Sequence, residues 1–277
     1  MDSICNKKIL NKKTCRYRKI CGNKKIRNKT KKYCIKQNKD FIINITRKYL
    51  MFDEEDIKNM YDENIVFRYS SISDDKHYPG FGDGEKIPEV YKDQYYNLSL
   101  IKNWRQKLSN FWFQPFILDS KKWATVENYY QACKFKKNNP DFYNLFSLDS
   151  KIDIELLKKW YGEITHENLE KIKNFYEKLK INPGYAKHMG KITPSKKWKK
   201  KIFRPQSIKI DPEFNHESVM FKAIFSKFNQ NEDLKYMLLC TQNANLTHPV
   251  FEAGGESKII SVNNLIYIRN LFYNILK

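Results

Sequence analysis

The stretch from Leu108 to Phe135, LSNFWFQPFILDSKKWATVENYYQACKF, leaves the chain around it few ways to fold. It reads as two short strands joined by a turn and followed by a helix. Phe111, Phe113, Phe116 and Ile117 supply aromatic and β-branched strand residues, and Asp119-Ser120 supplies the turn. Thr125 is a good helix N-cap, Val126 and Glu127 open the first turn, and Tyr129, Ala132, Cys133 and Phe135 recur at helical spacing. Glu127 then lies near the positive end of the helix dipole, with Lys134 two turns later on the same face. A carboxylate and an amine on one helical face, beneath an aromatic wall, suit a nucleotide-sugar site. A surface ion pair is the competing reading of the same spacing.

The pattern SNF, then PF-x-LD-x-KKW-x-TVE-x-YYQACKF, resembles the central signature of the YbiA/NADAR family of N-glycosidases. The resemblance continues in AKHMGK (Ala186 to Lys191) and in MFKAIFSKFNQN (Met220 to Asn231). It extends to Leu238-Leu239 with Thr241 and Leu246, and covers roughly Phe67 to Ile275. It implies cleavage of an N-glycosidic bond on a ribosyl nucleotide: ADP-ribose on guanine in nucleic acid, or a riboflavin-pathway intermediate. Glu127 would stabilise the oxocarbenium-like ribosyl centre. Lys134 would pair with phosphate or attack the opened sugar as a Schiff-base amine. Trp123, Tyr129 and Phe111 would stack on a base. Tyr69, Ser70, Asn110, Tyr130 and Gly190 complete the expected substrate contacts.

Two departures from the family pattern stand out. Its Trp-Gly loop is missing, the region here being THPVFEAGGESKII, and His248 stands where Glu is expected. Upstream, YPGFGDGEKIP places Gly80, Gly82 and Gly84 at alternate positions, so backbone amides can approach a phosphate, with Glu85 directed at a ribose hydroxyl. We expect this loop to take over the phosphate-cradling task. A plain glycine turn is the alternative, and Phe81 stands where the relatives place a lysine. These departures support a competing class, a binding module for ADP-ribose or nucleic acid without turnover.

Charge is unevenly placed along the chain. Residues 1–39 hold 15 Lys/Arg against one acid, Asp2, and so carry +14 of the net +21. A tail of this kind releases counterions from a polyanion, which makes nucleic acid its expected partner, although a nuclear address uses the same chemistry. A third class, a structural nucleic-acid-binding protein, explains this tail and not the central motif. Cys5, Cys15, Cys21 and Cys34 are of the right type for a structural zinc site. Their intervals lack the short Cys-x-x-Cys knuckle, and an unmetallated tail is the alternative. No cofactor is required by the core. Cys133 and Cys240 fall in apolar helical contexts as core thiols. No run of 18 apolar residues and no signal-peptide segment occurs, so an intracellular, cytoplasmic or nuclear, protein without membrane contact is expected.

The expected fold is α+β and predominantly helical. It has a basic Cys-containing tail at 1–39, a helical bridge at 40–66 and a YbiA-like domain at 67–277, with short strands around 65–70 and 111–124. Residues 141–182 read as a peripheral helical insertion, with Leu169, Ile172, Phe175 and Leu179 on one apolar stripe. Helices are expected around 219–228, 234–239 and 265–276, closing the core around Trp123 and Tyr129. The lysine run around Trp198 can guide a nucleic-acid backbone or remain a solvated loop.

Overall fold

The computed structural model describes residues 39–73, 76, 78–191, 204–251 and 257–276; the cysteine tail and most of the Trp198 lysine run lie outside them. In chain order the elements are a helix over 39–49 (α1), Glu54–Lys58 (α2), Asp62–Arg68 (β1), a 3-10 segment Glu89–Tyr95, Tyr96–Ser99 (α3), and Trp104–Leu108 (α4). Then come Phe116–Leu118 (β2), Lys121–Trp123 (β3), Val126–Cys133 (α5), Pro140–Asn144 (α6), Ile154–Tyr161 (α7), and His166–Ile181 (α8). Pro183–Met189 (α9), His216–Gln230 (α10), Glu232–Cys240 (α11), Ala244–Phe251 (β4), Ser257–Ser261 (β5) and Asn263–Leu276 (α12) complete the chain. The architecture is α+β. Among the described residues no helix is long and apolar enough to cross a membrane.

The chain divides into two compact units. Among the described residues the first takes those up to 68, those between 74 and 104 and those from 233 on, and the second those of 69–73 and 105–232. Residues 40–66 hold the expected pair of helices, α1 and α2, and belong to the first unit. They run into β1, which needs a partner from the far end of the chain.

In the first unit that partner is β4. β1 and β4 are parallel, with Phe67 opposite Leu246, and β5 pairs antiparallel on the other side of β4. A parallel pair cannot be closed by a tight turn, so a long intervening connection is obligatory. Phe67 is fully buried and meets Tyr95 and Trp104 edge-on, with ring centroids 4.9 and 5.4 Å apart. Arg269 of α12 is equally buried, and its guanidinium donates to Thr241 Oγ1 and the carbonyl of Ala244. Strand β1 begins earlier than expected and stops at Arg68, leaving Tyr69 and Ser70 outside it. In the THPVFEAGGESKII region, for which the sequence suggested no strand, the described residues belong to β4 and β5.

In the second unit the hairpin is confined to β2 and β3, shorter than the expected 111–124, and Phe111 and Phe113 precede it. Asp119 and Ser120 both take positive φ, 53° and 61°, the turn geometry that suits the twist of a two-residue hairpin. Asp119 Oδ2 then accepts from the Tyr129 hydroxyl at 2.9 Å and from Lys136 Nζ at 2.6 Å, tying the turn to α5. Trp123, Phe135, Phe142, Phe146, Tyr176 and Phe225 form the buried aromatic interior. Ile172, Phe175 and Leu179 are buried as their spacing requires, and Asn128 Nδ2 donates to the Leu179 carbonyl at 2.6 Å. Residues 141–182 are thus integral to this unit rather than peripheral. Of the three helices expected around Trp123, only α10 lies in its unit; α11 and α12 belong to the first.

Candidate active site

Helix α5 starts at Thr125, whose side chain accepts from the Asn128 amide at 3.1 Å. The Glu127 amide, which has no acceptor within the helix, donates to the Asn110 carbonyl at 3.1 Å. The turn that leads into Asn110 is held in its own right by a buried lysine. Lys227 of α10 is fully buried and donates to the carbonyls of Lys107 and Ser109, both at 2.8 Å. Burial pulls its amine down to about 7.

The Glu127 carboxylate is buried, 6% exposed, and Gln131 Nε2 donates to its Oε1 at 2.8 Å. Burial raises its pKa, against the pull of the Gln131 amide and of the Lys187 and Lys134 charges. Lys134, the C-cap of α5, is half-buried and donates to the Gly190 carbonyl at 3.1 Å. Burial lowers its pKa; Glu127 opposes that shift and Arg204 adds to it. The amine lies 5.3 Å from the Tyr130 ring centroid, and Lys187 lies 5.6 Å from that of Phe111. Arg204 donates to the Met189 carbonyl at 2.9 Å beside these groups. A carboxyl and an amine whose pKa values are drawn toward each other, ringed by further cations and two accessible aromatic faces, can work on an anionic sugar nucleotide.

Within the second unit the structure brings Glu127, Lys134, Tyr130, Asn110, Phe111 and Gly190 into one cluster. Trp123 does not join it as a stacking surface. It is fully buried, its indole N–H donates to the Leu118 carbonyl at 2.9 Å, and its ring packs on Tyr129 and Tyr143. Tyr129 is likewise buried on Asp119. Tyr69 is buried, and Ser70 forms a local turn in which its amide donates to Ser73 Oγ at 2.7 Å. Gln131, Lys187, Arg204 and Lys227 were missed by sequence reasoning. The first carried a usable signal, since it falls one helical turn after Glu127 on the same face.

The remaining expected residues lie in the first unit. Glu85 does not reach outward to a ribose. Its Oε2 accepts from the amides of Gly80 and Gly82 at 2.9 and 3.0 Å, and its Oε1 from the Arg68 amide at 3.2 Å. The amides read as a phosphate cradle are thus occupied by the loop's own carboxylate. A Cβ at Gly82 would strike Glu85, and one at Gly84, where φ is +66°, would strike the Arg68 guanidinium. His248 sits within β4 opposite Ile260. Among the described residues no group of three or more His, Cys, Asp or Glu side chains is arranged to hold a metal ion. The cysteines considered for zinc lie outside them.

One solved structure is similar to this chain. It is the NMR structure of the E. coli protein YbiA, 22% identical, covering 78% of this chain and 86% of that one, with a TM-score of 0.37. YbiA is the protein whose family the Leu108–Phe135 stretch resembles. At that identity and TM-score the likeness to YbiA carries no residue role across, and the roles here stand on the geometry alone. No protein-family model and no curated protein matches the chain.

Proposed function

We propose that this chain is an N-glycosidase that cleaves the bond between ribose and base in an ADP-ribosyl adduct of guanine in DNA or RNA. The observation that carries the reading is the buried Glu127 carboxyl beside the Lys134 and Lys187 amines, with Arg204 acting on Lys134. As the base departs, positive charge grows at the anomeric carbon, and an ionised Glu127 in a poorly solvated setting stabilises it. Lys187 and Arg204 suit the diphosphate, and Phe111 and Tyr130 offer faces to a base. Water completes the hydrolysis. The released ADP-ribose opens to an aldehyde, with which a neutral Lys134 condenses to an imine with loss of water. Residues 1–39 add non-specific affinity for the nucleic acid carrying the adduct.

Incubating the full chain with an oligonucleotide carrying ADP-ribosyl guanine is expected to release ADP-ribose and restore the unmodified base. Borohydride added during turnover is expected to leave a reduced adduct on the Lys134 peptide. Retention of the intact adduct with no release would replace the enzyme with a binding module. Release without any trapped adduct would leave Lys134 as a phosphate ligand. Removing residues 1–39 should weaken oligonucleotide binding and flatten its salt dependence while sparing turnover of a mononucleotide substrate. An unchanged salt slope would detach the tail from nucleic acid.

A further inference from the structure

Gly190 closes helix α9 in right-handed geometry, φ −81° and ψ 0°, so no backbone torsion demands a glycine there. A neighbour demands it. A Cβ at position 190 would collide with Gln131 Oε1, so the Gln131 amide lies directly against the glycine. Gln131 is 5% exposed, and its Oε1 has no hydrogen-bond partner. Its other end, Nε2, donates to Glu127 Oε1 at 2.8 Å, and the Gly190 carbonyl accepts from Lys134 Nζ at 3.1 Å. A buried amide with an unsatisfied oxygen gives up free energy that a turned amide would recover elsewhere, unless the donor end is what matters.

We propose that Gly190 and Gln131 are positioning residues for both halves of the site: the missing side chain at 190 makes the space that wedges the Gln131 amide against Glu127, while the same glycine's carbonyl orients Lys134. This rests on reading Glu127 and Lys134 as the working pair of the proposed glycosidase. The amide donor favours the ionised carboxylate, the form that stabilises a ribosyl cation. The groups acting on Glu127 are Gln131, Tyr130 and Lys134 from its own helix and Lys187 from α9, with Arg204 acting on Lys134. His188 of α9 is held below its ordinary range by burial and by Lys191 and Lys187. Of the other elements packed on α5, α10 turns His216 to the Tyr130 hydroxyl and Lys222 toward Cys133, and α8 sends Lys180 to Ser150 and Glu177. β3 holds Lys122 and α6 holds Asp141, both exposed.

The test follows the Glu127 carboxyl itself, in the full chain labelled with 13C-glutamate, its signal assigned by its loss in Glu127→Gln. Gly190→Ala and Gln131→Met are each expected to move its titration to higher pH with the fold retained. Adding Gly190→Ala to Gln131→Ala should move it no further, because the side chain that the methyl would strike is gone. An unmoved titration in folded Gly190→Ala, or a further shift in the double variant, overturns the wedge. Should Gly190→Ala alone fail to fold, the double variant is expected to fold, and its failure overturns the proposal as well. The readout needs no turnover, so a wild-type chain that releases no ADP-ribose would sink the glycosidase reading and leave this result standing.

Discussion

Glu85 and Glu127 are both glutamates drawn in from the surface, one in each unit, and they are treated in opposite ways. Glu85 accepts three backbone N–H bonds, from Arg68, Gly80 and Gly82, and so fixes a glycine loop. Glu127 is more deeply buried and receives a single amide donor, from Gln131, with cations near enough to act on it. A carboxylate whose acceptor capacity is filled by its own backbone is a structural staple. One that is desolvated and left partly unfilled stores the capacity to meet charge that arrives later. The sequence offered both glutamates as parts of one ligand site, and the difference between the two carboxylates separates them.

The comparison breaks most visibly at Glu127. Glu127→Gln should fold and yet lose roughly two to four orders of magnitude in turnover; a loss of less than threefold would remove it from the site. The same variant should unfold at a higher temperature near neutral pH. Burial raises the Glu127 pKa in the folded chain, so between the unfolded and folded values the native state holds more protons and stability falls as pH rises. Gln is free of that penalty, and a lowered unfolding temperature at pH 7 would contradict it.

Lys227 extends the contrast to cations. Its folded pKa, about 7, lies below the ordinary lysine value of 10.5, so between those values the unfolded chain binds more protons and stability rises with pH. The slope approaches roughly 1.4 kcal/mol per pH unit. Denaturant titrations of Lys227→Met should lose that rise, and an equal rise in parent and variant would place the titration on another group. The smallest effect is expected at Glu85. Glu85→Gln keeps one acceptor oxygen and should cost about 1–3 kcal/mol in unfolding free energy, with turnover within threefold of the parent. A hundredfold fall in turnover would return the loop to the site.

What the sequence made legible was local. The Asp119-Ser120 turn, the Thr125 cap and the helical spacing after it need only adjacent residues to declare themselves, and β2, β3 and α5 follow. β4 was hidden because its parallel partner β1 is remote in sequence, and β5, which pairs with the nearby β4, because its own residues give no strand signal. Ile259 and Ile260 are consecutive and both substantially exposed, so no alternation marks a strand. Glu127 and Lys134 were legible as a pair at helical spacing, whereas Trp123 was misread because an aromatic residue shows the same letters whether it stacks on a ligand or on Tyr129. Lys227 was hidden for a similar reason. A lysine on an amphipathic helix reads as solvated, and only the carbonyls of Lys107 and Ser109, brought over from far along the chain, explain its burial.

The parallel pairing of β1 with β4 has a consequence in time. Phe67 and Thr247, joined across that pair, are 180 residues apart, a stretch that takes roughly 10–40 s to synthesise. During that interval β1 has left the ribosome with Ile65 and Phe67 unpaired, while nearly every residue of the second unit has been made. Loop closure over such a span is slow, whereas the contacts within residues 105–232 are nearer in sequence. The unit that carries Glu127 can therefore complete itself on the nascent chain while the sheet still awaits its central strand.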